Sequence, residues 1–445
     1  MLLAVPLAWL QLTYEKSRLL VAIAGIVFAV VLMFMQIGFQ DALFRSAVRL
    51  QSNLIGDIVL ISPQSTNLVG MRNFSQRRLY QAMGVPEVAS VSPLYIGLAA
   101  WKIQESTSGQ TRNILVLGAD PDRNIFKLEG LTPENIELMR LQDVVLFDRT
   151  SRAEFGPIVK ECGVADQPEN NSCLNPVFRE VANRRVRIGG LFTLGSSFAA
   201  DGAIITSSTN FLRIFDSRRA GLINVGLISL KQGSDAFGVM KQIVDILPGD
   251  HVILPKHGLQ IDGTRVKPVP NEPEKVQINK ADLTVNDIAK TEDLFVDDIR
   301  VLTMQGFINF ERSYWQRSTA IGFIFTLGTI MGFIVGIVIV YQILYTDVSD
   351  HLAEYATLKA MGYSNWYLSS VVIQEAFVLS VLGFIPGLVI SFALYNLTKN
   401  ATRLPVDMTW ERGMQVLLLT MTMCVISGAI SLRKVQSADP AEIFG

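Results

Sequence analysis

The chain has 445 residues, 49% hydrophobic and 18% charged, and its 39 Lys+Arg against 40 Asp+Glu leave a net charge of −1. Soluble domains of similar apolar content carry about 25% charge, so missing charge is the unusual feature. The balance excludes the basic footprint of a nucleic-acid binder. The apolar content excludes a mostly disordered chain, and three cysteines with three histidines exclude a disulfide-dense scaffold or a four-thiolate zinc site.

In chain order, residues 1–18 predict an amphipathic interfacial helix, with Leu3, Leu7, Leu10 and Tyr14 at helical spacing and Trp9 suited to headgroup depth. No basic segment precedes this apolar start, and Lys16 and Arg18 follow it, so it does not read as a cleaved signal peptide. Residues 19–39 carry no charge and meet the requirement of about 20 apolar residues for a membrane-spanning helix, here an uncleaved anchor. Helical spacing persists through Leu43, Ala47 and Leu50, which extends this helix as a stalk.

Residues 40–317 alternate short apolar runs with turn residues and predict an α+β domain. Strands are expected at 57–62, 94–103, 113–118, 144–147, 186–191, 203–206 and 222–230, and helices at 75–83, 132–140 and 234–247. Two stretches read as insertions. Residues 161–176 hold Cys162 and Cys173, whose spacing of eleven is compatible with a disulfide in an oxidising compartment and equally with two free loop thiols. Residues 256–300, charged and with Pro268, Pro270 and Pro273, read as a mobile loop or tethered arm. A second stalk is expected at 304–315, with Phe307, Phe310 and Tyr314 on one face.

Three further spans are expected at 318–346, 371–398 and 413–432, with a short loop at 399–412 and a tail at 433–445. One helix, a large domain and then three helices make a 1+3 arrangement. Gly328, Gly332 and Gly336 recur every four residues and lay a groove for close helix packing, within one chain or between copies. Pro386 is expected to kink the third span, and Glu375 reads as an interfacial carboxylate in that span's first turn. Between the second and third spans, residues 347–370 predict a short helix over about 349–361, ended at Gly362. Apolar Leu358, Met361 and Tyr363 would face water there, which points to a docking surface for a soluble partner. His351 and Glu354 have the spacing of a metal edge, but a polar membrane-flanking helix explains them better.

No GxxxxGK[ST], HExxH, CxxC or GxSxG motif occurs, so the expectation is a protein without catalytic residues, metal or cofactor of its own. Charge does not fix the orientation. Lys16, Arg18, Lys359, Arg433 and Lys434 on one side nearly match Lys399, Arg403 and Arg412 on the short loop of the other.

The run EYATLKAMGY at 354–363 resembles the coupling segment of MacB/FtsX-type ABC permeases, and the 1+3 order resembles that superfamily over the whole chain. Blocks at 8–22, 33–44, 92–97, 189–195, 318–328, 338–352 and 438–444 are similar to DevC-type permeases of cyanobacterial tripartite exporters. The resemblance implies a multi-pass protein of the inner membrane, with cytoplasmic termini and a periplasmic domain. It also implies a homodimer working with a separate ABC ATPase that binds ATP and Mg, a periplasmic adaptor and a TolC-like channel, for export of an envelope glycolipid or another hydrophobic substrate. The ATPase-coupling residues it implies are His351, Leu352, Glu354, Tyr355, Leu358, Lys359, Ala360, Met361, Gly362 and Tyr363. The segments 161–176 and 256–300 depart from the family pattern. The alternative from the same resemblance is a signalling permease of the FtsX kind that regulates a periplasmic enzyme.

Overall fold

The computed structural model describes residues 16–103, 110–165, 169–197, 200–256, 266–270, 272–318, 320–402 and 404–436. The expected helix before residue 16 and the block at 438–444 lie outside these residues. The chain divides into two compact units, one from Met1–Leu43 with Thr319–Gly445 and the other Phe44–Ser318.

The first unit contains α1 (Lys16–Ala47), α2 (Ala320–Asp350), α3 (Leu352–Ala360), α4 (Asn365–Thr402) and α5 (Trp410–Gln436). Among the described residues, α1, α2, α4 and α5 are long and apolar enough to cross a membrane. Part of their apolar surface turns inward to a cluster that includes Ile26, Val30, Phe34, Val340, Leu379 and Met423, while residues such as Phe323 and Val389 stay exposed. The glycine groove on α2 faces other helices of the same chain: a Cβ at Gly328 would sit 2.6 Å from Gln36, and one at Gly336 would sit 3.0 Å from Ala29 and closer still to Met423. On the other flank of α1, Gly387 of α4 leaves 2.6 Å between such a Cβ and Val30. At one end of the bundle Arg412 pairs with Asp41 and its guanidinium lies 5.5 Å from the Tyr395 ring, while the Tyr395 hydroxyl donates to the Phe34 carbonyl.

Two details differ from the sequence reading. Helix α4 begins at Asn365, so Glu375 is not in a first turn at the interface but about three turns into the helix and fully buried. The uncharged stretch before it, capped by Ser364, gave no sign of that earlier start. Pro386 lies inside α4, at the position where the kink is expected. The helix expected over 349–361 is divided, because α2 continues to Asp350 and α3 starts at Leu352.

The second unit is built on one mixed sheet of thirteen strands among the described residues. Ile58–Ile61 lies between Val225–Leu230 and Ile299–Thr303, antiparallel to both. All four of its residues are buried, as expected where both faces of a strand are covered. Ile58 and Leu60 point into a core shared with Phe211, Met240 and Ile243. Val59 and Ile61 point to the other side, where Leu50, Leu54 and Phe307 cover them. Val88–Lys102 pairs antiparallel with Thr111–Ala119, and parallel pairs join Thr111–Ala119 to Ala203–Ser207 and Val144–Asp148 to Arg184–Phe192.

The stretch 256–300 is not an arm, apart from 257–265 and 271, which lie outside the described residues. Glu272–Asn279 pairs with His251–Pro255, and Asp293–Val296 forms a hairpin with Ile299–Thr303. Between them Val285–Thr291 is a helix with a Thr284/Asp287 capping box. Val276, Ile278, Ile288, Leu294, Val296 and Val301 all enter the core. Asp293–Val296 buries only alternate residues, so charge on its outer face dilutes the composition and mimics a solvated loop. The stretch 161–176 is likewise not wholly loop, because a strand starts at Ser172. Cys162 and Cys173 are joined by a disulfide that ties the helix Ile158–Glu161 to this strand.

Candidate coupling site

The site is assembled from the turn between α2 and α4. His351 breaks the helix with φ −94° and ψ 14°, and its Nδ1 lies 3.0 Å from the Asp347 carbonyl oxygen, so this ring is occupied by its own turn. Among the described residues, no group of three or more His, Cys, Asp or Glu side chains converges to hold a metal ion. Helix α3 is seated through one residue above all: Tyr355 is 1% exposed and packs with Val348 of α2 and Leu368 and Val372 of α4, with Leu358 partly buried against the same cluster. Ala356 is buried as well. Tyr355 is therefore buried within this chain and anchors α3. Leu358 departs from the expectation that it faces water, because the short helix turns that side toward Tyr355.

The end of α3 is a two-bond Schellman turn. The Gly362 N–H donates to the Lys359 carbonyl and the Tyr363 N–H to the Leu358 carbonyl, with Gly362 at φ +93°. A left-handed residue is needed there and glycine supplies it without a Cβ penalty. The turn presents Met361 (63% exposed), Tyr363 and Trp366 (84% exposed), and the Tyr363 and Tyr367 rings lie 4.9 Å apart. Ser364 then starts α4, accepting from the Tyr367 N–H through its Oγ. Glu354 is exposed, while Leu352 and Lys359 are half-buried. Arg18 at the start of α1 pairs with Asp350 at the end of α2, which sets the beginning of the first helix beside this turn.

Sequence reasoning picked out α3 and its glycine but missed the seat. Val348 and Leu368 fall in the expected 347–370 segment and Val372 in the expected third span, and only the tertiary contact with Tyr355 distinguishes them.

In the second unit, Met304–Arg317 forms the helix expected as a stalk, capped by the Thr303 hydroxyl, which accepts from the Gly306 N–H at 2.9 Å. Glu311 on this helix is buried and accepts from the Leu68 N–H at 2.7 Å and the Trp315 Nε1–H at 2.8 Å. Burial outweighs these two bonds and pushes its carboxyl up to about 7. Arg49 donates to the Leu194 and Ser196 carbonyls, and buried Asp148 accepts from the Leu194 and Gly195 N–H groups of the same loop. Burial also raises the Asp148 carboxyl above the usual range.

Residues 320–440 match the family model described as FtsX-like permease C-terminal, a match that takes in α2, the coupling turn, α4 and α5. No curated protein matches the chain significantly. Among solved structures, the extracellular domain of the noncanonic ABC-type transporter YknZ from Gram-positive bacteria is 10% identical, covering 43% of this chain and 92% of that one at a TM-score of 0.30. The periplasmic region of MacB from Actinobacillus actinomycetemcomitans is 10% identical, covering 44% and 84% at a TM-score of 0.28. A domain of a putative permease protein from Porphyromonas gingivalis is 11% identical, covering 43% and 78% at 0.26. Scores this low do not establish a shared fold. The likeness that counts is the permease match over the last three spans.

Proposed function

We propose that this chain is the membrane subunit of an ABC-type permease, working with a separate ATPase that docks on the turn at α3. The observation that carries the reading is the FtsX-like match across 320–440, which contains a short helix held by Tyr355 with Met361, Tyr363 and Trp366 displayed beside it. An exposed aromatic cluster on a rigid turn between two spans has the character of an interface anchor. In this reading the chain has a 1+3 topology in the inner membrane, with termini and α3 in the cytoplasm and the Phe44–Ser318 unit in the periplasm. It acts as a homodimer, and ATP-driven motion reaches the periplasmic unit, which passes an envelope glycolipid or other hydrophobic substrate to an adaptor and a TolC-like channel.

Glu354→Arg and Gly362→Pro should insert normally yet lose substrate-stimulated ATP hydrolysis. Proline cannot adopt the φ of +93° and removes the N–H that closes the turn. Normal stimulation in both variants would sink the reading. The family match itself names FtsX, which keeps a signalling permease as the second reading. Co-purification separates the two: an adaptor and channel support export, and a cell-wall hydrolase supports signalling.

A further inference from the structure

Glu375 is 0% exposed inside a helix long and apolar enough to span a membrane, and neither of its carboxyl oxygens has a hydrogen-bond partner. One turn earlier on α4, Val372 belongs to the seat of α3. Among the described side chains, the surrounding elements bring no cation to it. Helix α2 supplies Asp347, close enough for its charge to act on Glu375, followed by His351, which is turned to the Asp347 carbonyl. Helix α3 brings Tyr355, packed against Val372, and carries Glu354, exposed, and Lys359, half-buried. From α1 comes Arg18, engaged with Asp350. Helix α5, whose Gly428 abuts Ala376, offers the Ser427 and Ser431 hydroxyls, both bonded to backbone carbonyls.

A carboxylate shut off from solvent in such surroundings has no counter-charge among the described side chains to offset its desolvation. Intramembrane acids are rare for this reason and mark sites that bind something. We propose that Glu375 is a proton-binding site: it is a neutral carboxylic acid while α3 is seated, and its O–H bond breaks, with the proton passing to water, when the seat opens and water enters. The seated state then holds one more proton than the open state, so acid favours seating and alkali favours release. The proposal rests on this pocket and not on the identity of the docked partner.

The test is infrared difference spectroscopy of the full chain in lipid nanodiscs, titrated from mildly acidic to mildly alkaline pH, with Glu375→Gln as reference and Na⁺ and K⁺ as probe cations. Expected at neutral pH is a protonated-carboxyl stretch that is absent from Glu375→Gln and unmoved by either cation, distinct from the Glu311 contribution, which Glu375→Gln retains and the difference spectrum cancels. In Tyr355→Ala, which empties the seat, that band should disappear at a lower pH. Carboxylate bands alone at neutral pH, a band that falls on adding Na⁺ or K⁺, or a band indifferent to Tyr355→Ala would each overturn the proposal. If Glu375→Gln fails to insert, Glu375→Asp keeps the carboxyl on a shorter stem and serves as the reference by displacing the band.

Discussion

Glu311 sits between two donors and still titrates near neutrality, because hydrogen bonds recover only part of what burial removes. The sign of its effect follows from the raised value. A folded-state pKa of about 7 against an ordinary 4.5 means the folded chain binds the extra proton between those values, so the stabilisation is complete below 4.5 and is lost as pH rises through 7. The shift corresponds to roughly 3 kcal/mol. Thermal unfolding of the Phe44–Ser318 unit, followed in the full chain, should show a melting temperature that declines from pH 5 toward 8, and Glu311→Gln should flatten that decline. An unchanged slope in Glu311→Gln would remove this residue from the account. Gly362 matters at the same scale for a different reason: its φ of +93° and the open space around it mean that Gly362→Ala costs backbone strain without any clash. The cost should be about 1 kcal/mol, seen as a milder loss of ATPase stimulation than Gly362→Pro causes.

Among the elements, α2 depends on its glycines for contact with its neighbours. A side chain at Gly336 would meet both Met423 and Ala29, so Gly336→Leu should overpack the bundle by several kcal/mol and lower the yield of folded protein. Gly332→Ala, whose Cβ would come no nearer than 3.6 Å to Leu32, should be tolerated. Size-exclusion profiles of the two variants in detergent compare them directly, and equal behaviour would show that the groove is not selective. Elements with a single strong signal were legible in the sequence. Uncharged runs gave the spans, and apolar runs such as Val144–Phe147 gave strands buried on both faces. The Asp293–Val296 and Ile299–Thr303 hairpin was not legible, because Asp293, Asp297, Asp298 and Arg300 mask an apolar alternation only four residues long. Helix α3 and Gly362 were legible from capping chemistry. The seat under Tyr355 and the burial of Glu375 were not, since both arise from contacts between residues on different helices.

At the scale of the molecule, the disulfide bears on compartment. Cross-links of this kind persist where thiols are oxidised, so the Phe44–Ser318 unit belongs on the oxidising side under the proposed topology. Thiol alkylation of denatured, unreduced membranes should then label Cys424, which is free, and spare Cys162 and Cys173. Labelling of all three would place the unit on the reducing side. The paired replacement Cys162→Ala with Cys173→Ala should destabilise the unit by ~3 kcal/mol.

The close contacts on the two flanks of α1 carry a mechanical consequence. Gly328 and Gly336 of α2 on one side and Gly387 of α4 on the other receive Gln36, Ala29 and Val30 as keyways receive the teeth of a splined shaft. A shaft keyed on both flanks cannot creep lengthwise by a fraction of a helical turn without driving side chains into backbone. Displacements of these helices are therefore expected as tilt of the helices together, with little lengthwise slippage.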